Sequence, residues 1–132
     1  MSKDPKDQSV LMLHLAVTLY HLRQDEEAEK LALEVVQVRE ESFGKKSLPV
    51  GEALDCLVSI QTRLEREDSG ILANLKRILS IQEELGCRNE EILTTLKKLL
   101  FYVNKMGLKD EKPALQRRLH YLKTRLKQRI PV

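Results

Sequence analysis

Apolar side chains recur along this chain at three- and four-residue intervals, and no stretch alternates apolar with polar long enough to make a strand. That spacing predicts helices, because residues three and four apart share one face of an α-helix. The first is expected from Asp7 or Ser9 to Arg23, with Leu11, Leu15, Leu19 and Leu22 on one face. Asp25 reads as the N-cap of the second, where Glu26 and Glu27 favour the positive helix end. This helix carries Ala28, Leu31, Ala32, Val35, Val36 and Val38, and Gly44 is expected to close it as a left-handed cap. Pro49 suits the first turn of a third helix reaching about Arg66. Asp68 or Ser69 starts a fourth ending at Gly86, Asn89 a fifth ending at Gly107, and Asp110 with Pro113 a sixth running nearly to Ile130. The short connections force antiparallel neighbours, so the unit is a helical hairpin used three times.

The hairpins repeat. Leu15, Leu57 and Leu99 are spaced 42 residues apart, as are Met12, Leu54 and Leu96; Ala16, Val58 and Leu100; and Leu22, Leu64 and Met106. Leu31, Ala73 and Leu115 keep the same step in the second helices, and Gly44 and Gly86 keep it too. A constant step across apolar columns is the sign of a stacked solenoid, in which each hairpin buries its neighbour's face. The expected fold is all-α: a right-handed α-α superhelix of three antiparallel hairpins, at about 9–44, 49–86 and 89–130, after a flexible edge at 1–8. Leu15, Leu57 and Leu99 are expected to be buried at equivalent places. Some columns break: Leu19 is matched by Gln61, and Leu33 and Leu75 by Arg117.

Composition narrows the function. A chain of 132 residues with 42% hydrophobic and 33% charged side chains fits one folded domain. With no Trp and only 4% aromatics, it is poorly equipped for an aromatic-lined substrate pocket or a base-stacking platform. The apolar run Val10 to Leu22 is too short to span a bilayer and lacks a small-residue cleavage site. Cys56 and Cys87 lie far apart without ligand spacing, which points to free thiols in a reducing compartment and a cytoplasmic location. His14 and His21 are seven residues apart on one helix face but lack the further ligand a metal site needs, and His120 sits among cations, a poor setting for a catalytic base. No nucleophile, base and orienting acid converge, and there is no glycine-rich phosphate loop. The expectation is a non-enzyme with no cofactor, no metal and no small-molecule substrate.

Charge is uneven. Residues 1–66 hold nine basic against twelve acidic side chains, a balance of −3, and residues 67–132 hold fourteen against eight, +6. From Lys112 onward there are seven cations and no acid. On the final helix Leu115, Leu119, Leu122, Leu126 and Ile130 make an apolar stripe, with Arg117, Arg118, Lys123, Arg125, Lys127 and Arg129 over most of the remainder. The plain reading is a solenoid end-cap with one wet face; the functional one is capture of an acidic protein partner. Membrane and nucleic acid are disfavoured, since the helix lacks interfacial aromatic anchors and any base-reading motif.

The stretches "LAVTLY" (15–20) and "EEAEKLALEVVQVREESFG" (26–44) resemble the tetratricopeptide repeat, closest to its 42-residue form in kinesin light chains. Leu15, Ala16, Tyr20, Glu27, Ala28, Leu31, Val36, Val38, Arg39, Glu40 and Gly44 fall on that pattern. The second repeat follows it through Pro49, Leu54, Leu57, Ile78, Leu79, Ile81, Glu83, Leu85 and Gly86; the third follows by apolar spacing and Gly107. The resemblance implies a scaffold or adaptor, cytoskeletal in association, whose first helices line a concave groove for a partner's peptide or helix. It also allows a capping piece of a longer array or a regulatory subunit of an enzyme. Where kinesin light chains carry groove asparagines, this sequence has Leu13 and His14, Asp55 and Cys56, and Lys97 and Lys98. Recognition of that family's tryptophan-plus-acid peptides therefore does not transfer. Asn104 with Lys97 and Lys98 is at most a fragment of the carboxylate clamp of chaperone-binding repeats. These seven residues are the candidate partner contacts.

Overall fold

The computed structural model describes residues 4–128, and these form six helices and no strand: α1 (Pro5–His21), α2 (Asp25–Phe43), α3 (Leu48–Arg63), α4 (Asp68–Glu84), α5 (Asn89–Met106) and α6 (Lys112–Gln128). Arg129 and Ile130 lie outside the described residues. Each helix packs on the next in sequence and α1 also touches α3, which is the connectivity of stacked hairpins in a helical-repeat superhelix. α1 starts earlier than its apolar pattern suggests. The Asp4 carboxylate accepts from the Lys6 amide at 2.9 Å and Pro5 fills the first turn, so residues 5–8 are helix rather than a flexible edge.

The repeat is written into the backbone as well as the side chains. Arg23, Glu65 and Gly107, successive at 42 residues, all take positive φ (64°, 54° and 69°) at the turn from the first helix of a hairpin to the second. Only the third is glycine, the residue that takes this conformation without strain; at the other two the helix-ending turn is closed by backbone hydrogen bonds, from the Gln24 amide to the Leu19 carbonyl (2.9 Å) and from the Arg66 amide to the Gln61 carbonyl (3.0 Å). Gly44 also has positive φ, 92°, but ψ is 154°, so α2 ends in an extended turn and not in the left-handed cap expected. Asp25 is likewise the first residue of α2 rather than its cap, and its carboxylate is spent on Arg63.

The core runs through α2 to α5, where Val35, Val50, Leu54, Leu57, Leu75, Ile81, Leu96 and Leu99 are buried. The 42-residue columns hold between α3 and α5. The second helices start at Asp25, Asp68 and Lys112, so their register advances by 43 and then 44. The equivalent set is therefore Ala28, Ile71 and Leu115; Ala73, placed by the sequence in the Leu31 column, is exposed. The first helix differs most from expectation. Leu15 is 52% exposed while Leu57 and Leu99 are at 2% and 1%, and Leu11 and Leu22 are also exposed. The buried side of α1 is Ser9, Leu13 and Ala16, which face the second helix of the same hairpin; no described helix packs on the other side.

Polar links tie the hairpins together. Arg39 is 3% exposed and donates from Nε to Ser9 Oγ (3.0 Å) and from Nη1 to the Pro49 carbonyl (2.9 Å) and Glu52 Oε1 (3.0 Å), joining α1, α2 and the start of α3. Two ion pairs recur from hairpin to hairpin: Asp25–Arg63 with Asp68–Lys105, and Glu40–Arg77 with Glu83–Arg118.

Candidate functional site

The first helices of the hairpins line a groove, which includes a cavity of about 420 Å³ between α3 and α5, with Tyr20 of α1 at one end. Helical spacing puts Val58, Ser59 and Thr62 on one wall and Lys97, Lys98, Phe101 and Tyr102 on the other. The walls are fastened to each other. The Tyr102 hydroxyl lies 3.1 Å from Thr62 Oγ1, which itself donates to the Val58 carbonyl. Tyr20 is held from behind: the Arg63 guanidinium lies 3.7 Å from its ring centroid, donates to its carbonyl, and is clamped by Asp25 at 2.8 and 2.5 Å. The hydrogen bond to Arg63 holds the Asp25 carboxyl below the usual carboxylate range.

Phe101 gives the cavity its character. It is 59% exposed, with its ring edge-on to Tyr102 at 5.2 Å. Beside it, Lys97 makes no ion pair with any described residue, and Lys98 reaches only to Asp55 at 3.6 Å. An exposed aromatic next to incompletely neutralised cations can accept an apolar side chain and a carboxylate together.

A second cavity of about 490 Å³ lies toward the helix starts, lined among others by Glu52, Asp55, Gln82, Cys87, Glu91 and Lys98. Burial, helped by Asp55 and Glu52, pushes the Cys56 thiol up, and burial with Glu91 does the same for Cys87. Both are thus poor thiolate nucleophiles. Among the described residues no cluster of three or more His, Cys, Asp or Glu could hold a metal ion, and no helix is long and apolar enough to cross a membrane.

Residues 10–48 match the family model of the tetratricopeptide repeat. No curated protein sequence matches the chain. Among solved structures, it is similar to BtubC (BKLC) from P. vanneervenii, with a TM-score of 0.79 at 17% identity over 94% of this chain and 50% of that one. It is also similar to a putative kinesin light chain with nearly identical TPR-like repeats from Podosopora anserina, with a TM-score of 0.69 at 16% identity over 93% of this chain and 58% of that one. The first hairpin is a tetratricopeptide repeat, and the chain has the fold of an array of them. It spans half to about three-fifths of the length of those structures.

Placed on this tetratricopeptide fold, the seven candidate contacts separate. Lys97 and Lys98 line the Phe101 cavity, while Asp55 lies across from them and lines the second one. Cys56 is half-buried, and His14 is exposed on α1 away from both cavities. Leu13 is only 7% exposed and belongs to the core, because at this point α1 turns toward α2. Asn104 is exposed and lines none of the described cavities. Residue spacing did not single out Tyr20, Phe101 and Tyr102. A signal for Phe101 existed: it stands 42 residues after Ser59 and 84 after Val17, in a column that is not part of the core.

The cations of α6 do not form one uniform patch. Arg118 is engaged by Glu83, and Arg125 lies over Tyr121, its Nη1 donating to the hydroxyl at 3.0 Å. Arg117, Lys123 and Lys127 are exposed and make no ion pair with described residues. Arg129 is outside the described range.

Proposed function

We propose that this chain is a non-catalytic protein-interaction module that holds a partner's peptide or helix in the groove formed by its first helices. Tetratricopeptide repeats mediate protein–protein interaction, which supports the class of function. The observation that carries the specific reading is the exposed Phe101 ring beside Lys97, in a cavity whose walls are already pinned by Tyr102, Thr62 and Arg63. A preorganised apolar seat with cations at its rim suits a segment in which a large apolar residue stands next to Asp or Glu. The free cations of α6 would speed the approach of such an acidic partner without contacting it closely. Selection from a random peptide library on the immobilised protein tests this. Enriched sequences should pair an acid with a large apolar residue, and Phe101→Ala or Lys97→Glu should abolish their capture while leaving the helical circular dichroism unchanged. Equal capture by both variants would place the binding surface elsewhere.

A further inference from the structure

The two cavities between α3 and α5 are lined by opposite charge. Among the described residues, the Phe101 cavity has Lys97 and Lys98 in its lining and no acid, whereas the second has Glu52, Asp55 and Glu91. Lys98 borders both, and it is the cation in the lining of the second. Its distance to Asp55, 3.6 Å, is too long for a hydrogen bond, so the link across the groove is electrostatic alone. Glu52 accepts from Arg39 through Oε1 but is 66% exposed, and Glu91 faces Arg88 at 3.5 Å with both side chains well exposed. Gln82 lines the same cavity, and its Oε1 is buried without a hydrogen-bond partner among the described residues. Such an acceptor carries a desolvation penalty that an incoming donor relieves.

We propose, resting on the Phe101 groove as the seat of a partner segment, that the second cavity takes a basic side chain of that same segment, arginine above all. The groove then reads an acid and a base at a fixed separation. Charge balance supplies the reason. A partner carboxylate bound at Lys98 draws this lysine from Asp55 and leaves the three carboxylates of the second cavity without the cation that lined it. A guest cation restores the balance, and a guest without one leaves like charges facing each other. A guanidinium has donors enough to reach Gln82 Oε1 and a carboxylate together, in a fixed fork that an ammonium lacks. The separation follows from the helices. Asp55 and Thr62 on α3, and Thr94 and Phe101 on α5, are about two turns apart, roughly 10.5 Å along the axis. An extended peptide covers about 3.3–3.6 Å per residue, so the base belongs about three residues from the acid and its apolar neighbour.

A displayed peptide library with a fixed Glu-Phe pair and random residues on both sides tests the assignment. The unmodified chain should enrich arginine, and less often lysine, about three positions from the pair. In a synthetic peptide from that selection, replacing the arginine with citrulline keeps the shape, removes the charge and should weaken binding about 10-fold. The double variant Gln82→Met, Glu91→Gln should bind the arginine and citrulline peptides alike; Glu52 is left in place because it pairs with the buried Arg39. In the Cys56→Ala chain, saturating arginine peptide should also slow the alkylation of Cys87, which lines this cavity. Capture of Glu-Phe peptides with no preferred basic position, or equal binding of the two peptides by the unmodified chain, overturns the second seat and leaves binding at Phe101 standing. A preference for arginine that survives in the double variant, or a Cys87 that reacts at its free rate, also overturns it, since the base then sits elsewhere. No capture of the Glu-Phe library at all overturns binding at Phe101 and this inference with it.

Discussion

Leu15 in α1 and Leu57 in α3 hold the same place in successive repeats, yet one is 52% exposed and the other 2%. The two helices are similar in length and both are apolar on that side. They differ in what stands next to them: α3 has α2 behind it, whereas α1 has no preceding helix among the described residues. Burial in a solenoid belongs to the pair of neighbours and not to the residue. The far end shows the other solution. α6 has no buried residue, and its outward positions are polar or cationic, so that end can remain wet.

The sharpest way to break the comparison is to cut the same methylenes at both positions. Leu57→Ala should cost about 2–5 kcal/mol, the range for opening a core cavity. Leu15→Ala in dilute, monomeric protein should cost within about 0.5 kcal/mol, as for an open surface position. Urea titrations of the two variants measure both. Similar losses would mean that α1 is covered even in the single chain.

Next comes the link between the two helices. Arg39→Met keeps the bulk but removes the bonds to Ser9, Pro49 and Glu52, and should cost about 1–3 kcal/mol. Because two of those partners are in α3 and one in α1, amide exchange should rise at the start of both. A rise confined to α1 would show that α3 is held by its apolar seat on α2 alone.

The Asp25–Arg63 pair, which joins the turn after α1 to the end of α3, makes a pH-dependent prediction. The folded Asp25 pKa is depressed, chiefly by the hydrogen bond from Arg63. Its stabilisation is therefore fully present above the unfolded value of about 3.9 and lost as pH falls through the folded one. Asp25→Asn should be less stable than the parent at neutral pH, and the gap should close in that acid window. A gap of constant size down to low pH would remove the carboxylate's charge from the explanation.

The smallest effect is expected at the wet end. Replacing Lys123, Arg125 and Lys127 with Gln should change stability by no more than about 0.5 kcal/mol in total. It should also flatten the salt dependence of association with an acidic peptide. Arg118 is kept out of this set because it is bonded to Glu83 of the preceding hairpin.

Much of this architecture could be read from the chain. Pro49 and Pro113 near helix starts and Gly44, Gly86 and Gly107 near helix ends mark the boundaries locally, through constraints on φ that need no tertiary partner. The 42-residue step located Leu54, Leu57, Leu96 and Leu99 because the first helices share one register, each followed at the same spacing by a positive-φ residue, Arg23, Glu65 and Gly107. The second helices drift by one and then two residues, and the Ala73 assignment failed for that reason. The groove was only partly legible. Lys97 and Lys98 could be placed by repeat position, but Leu13, one repeat earlier than Asp55, turned into the core.

The sequence by itself determined the helices, their hairpin pairing and the periodic core, since these follow from side-chain spacing, caps and short connections acting within a few dozen residues. Only the tertiary structure decided which apolar stripes are covered, that Arg63 would be held between Asp25 and Tyr20, and that Phe101 would stand exposed in a cavity. These depend on the distance and direction of another helix, and a three-to-four residue pattern has the same form whether a neighbour is present or absent.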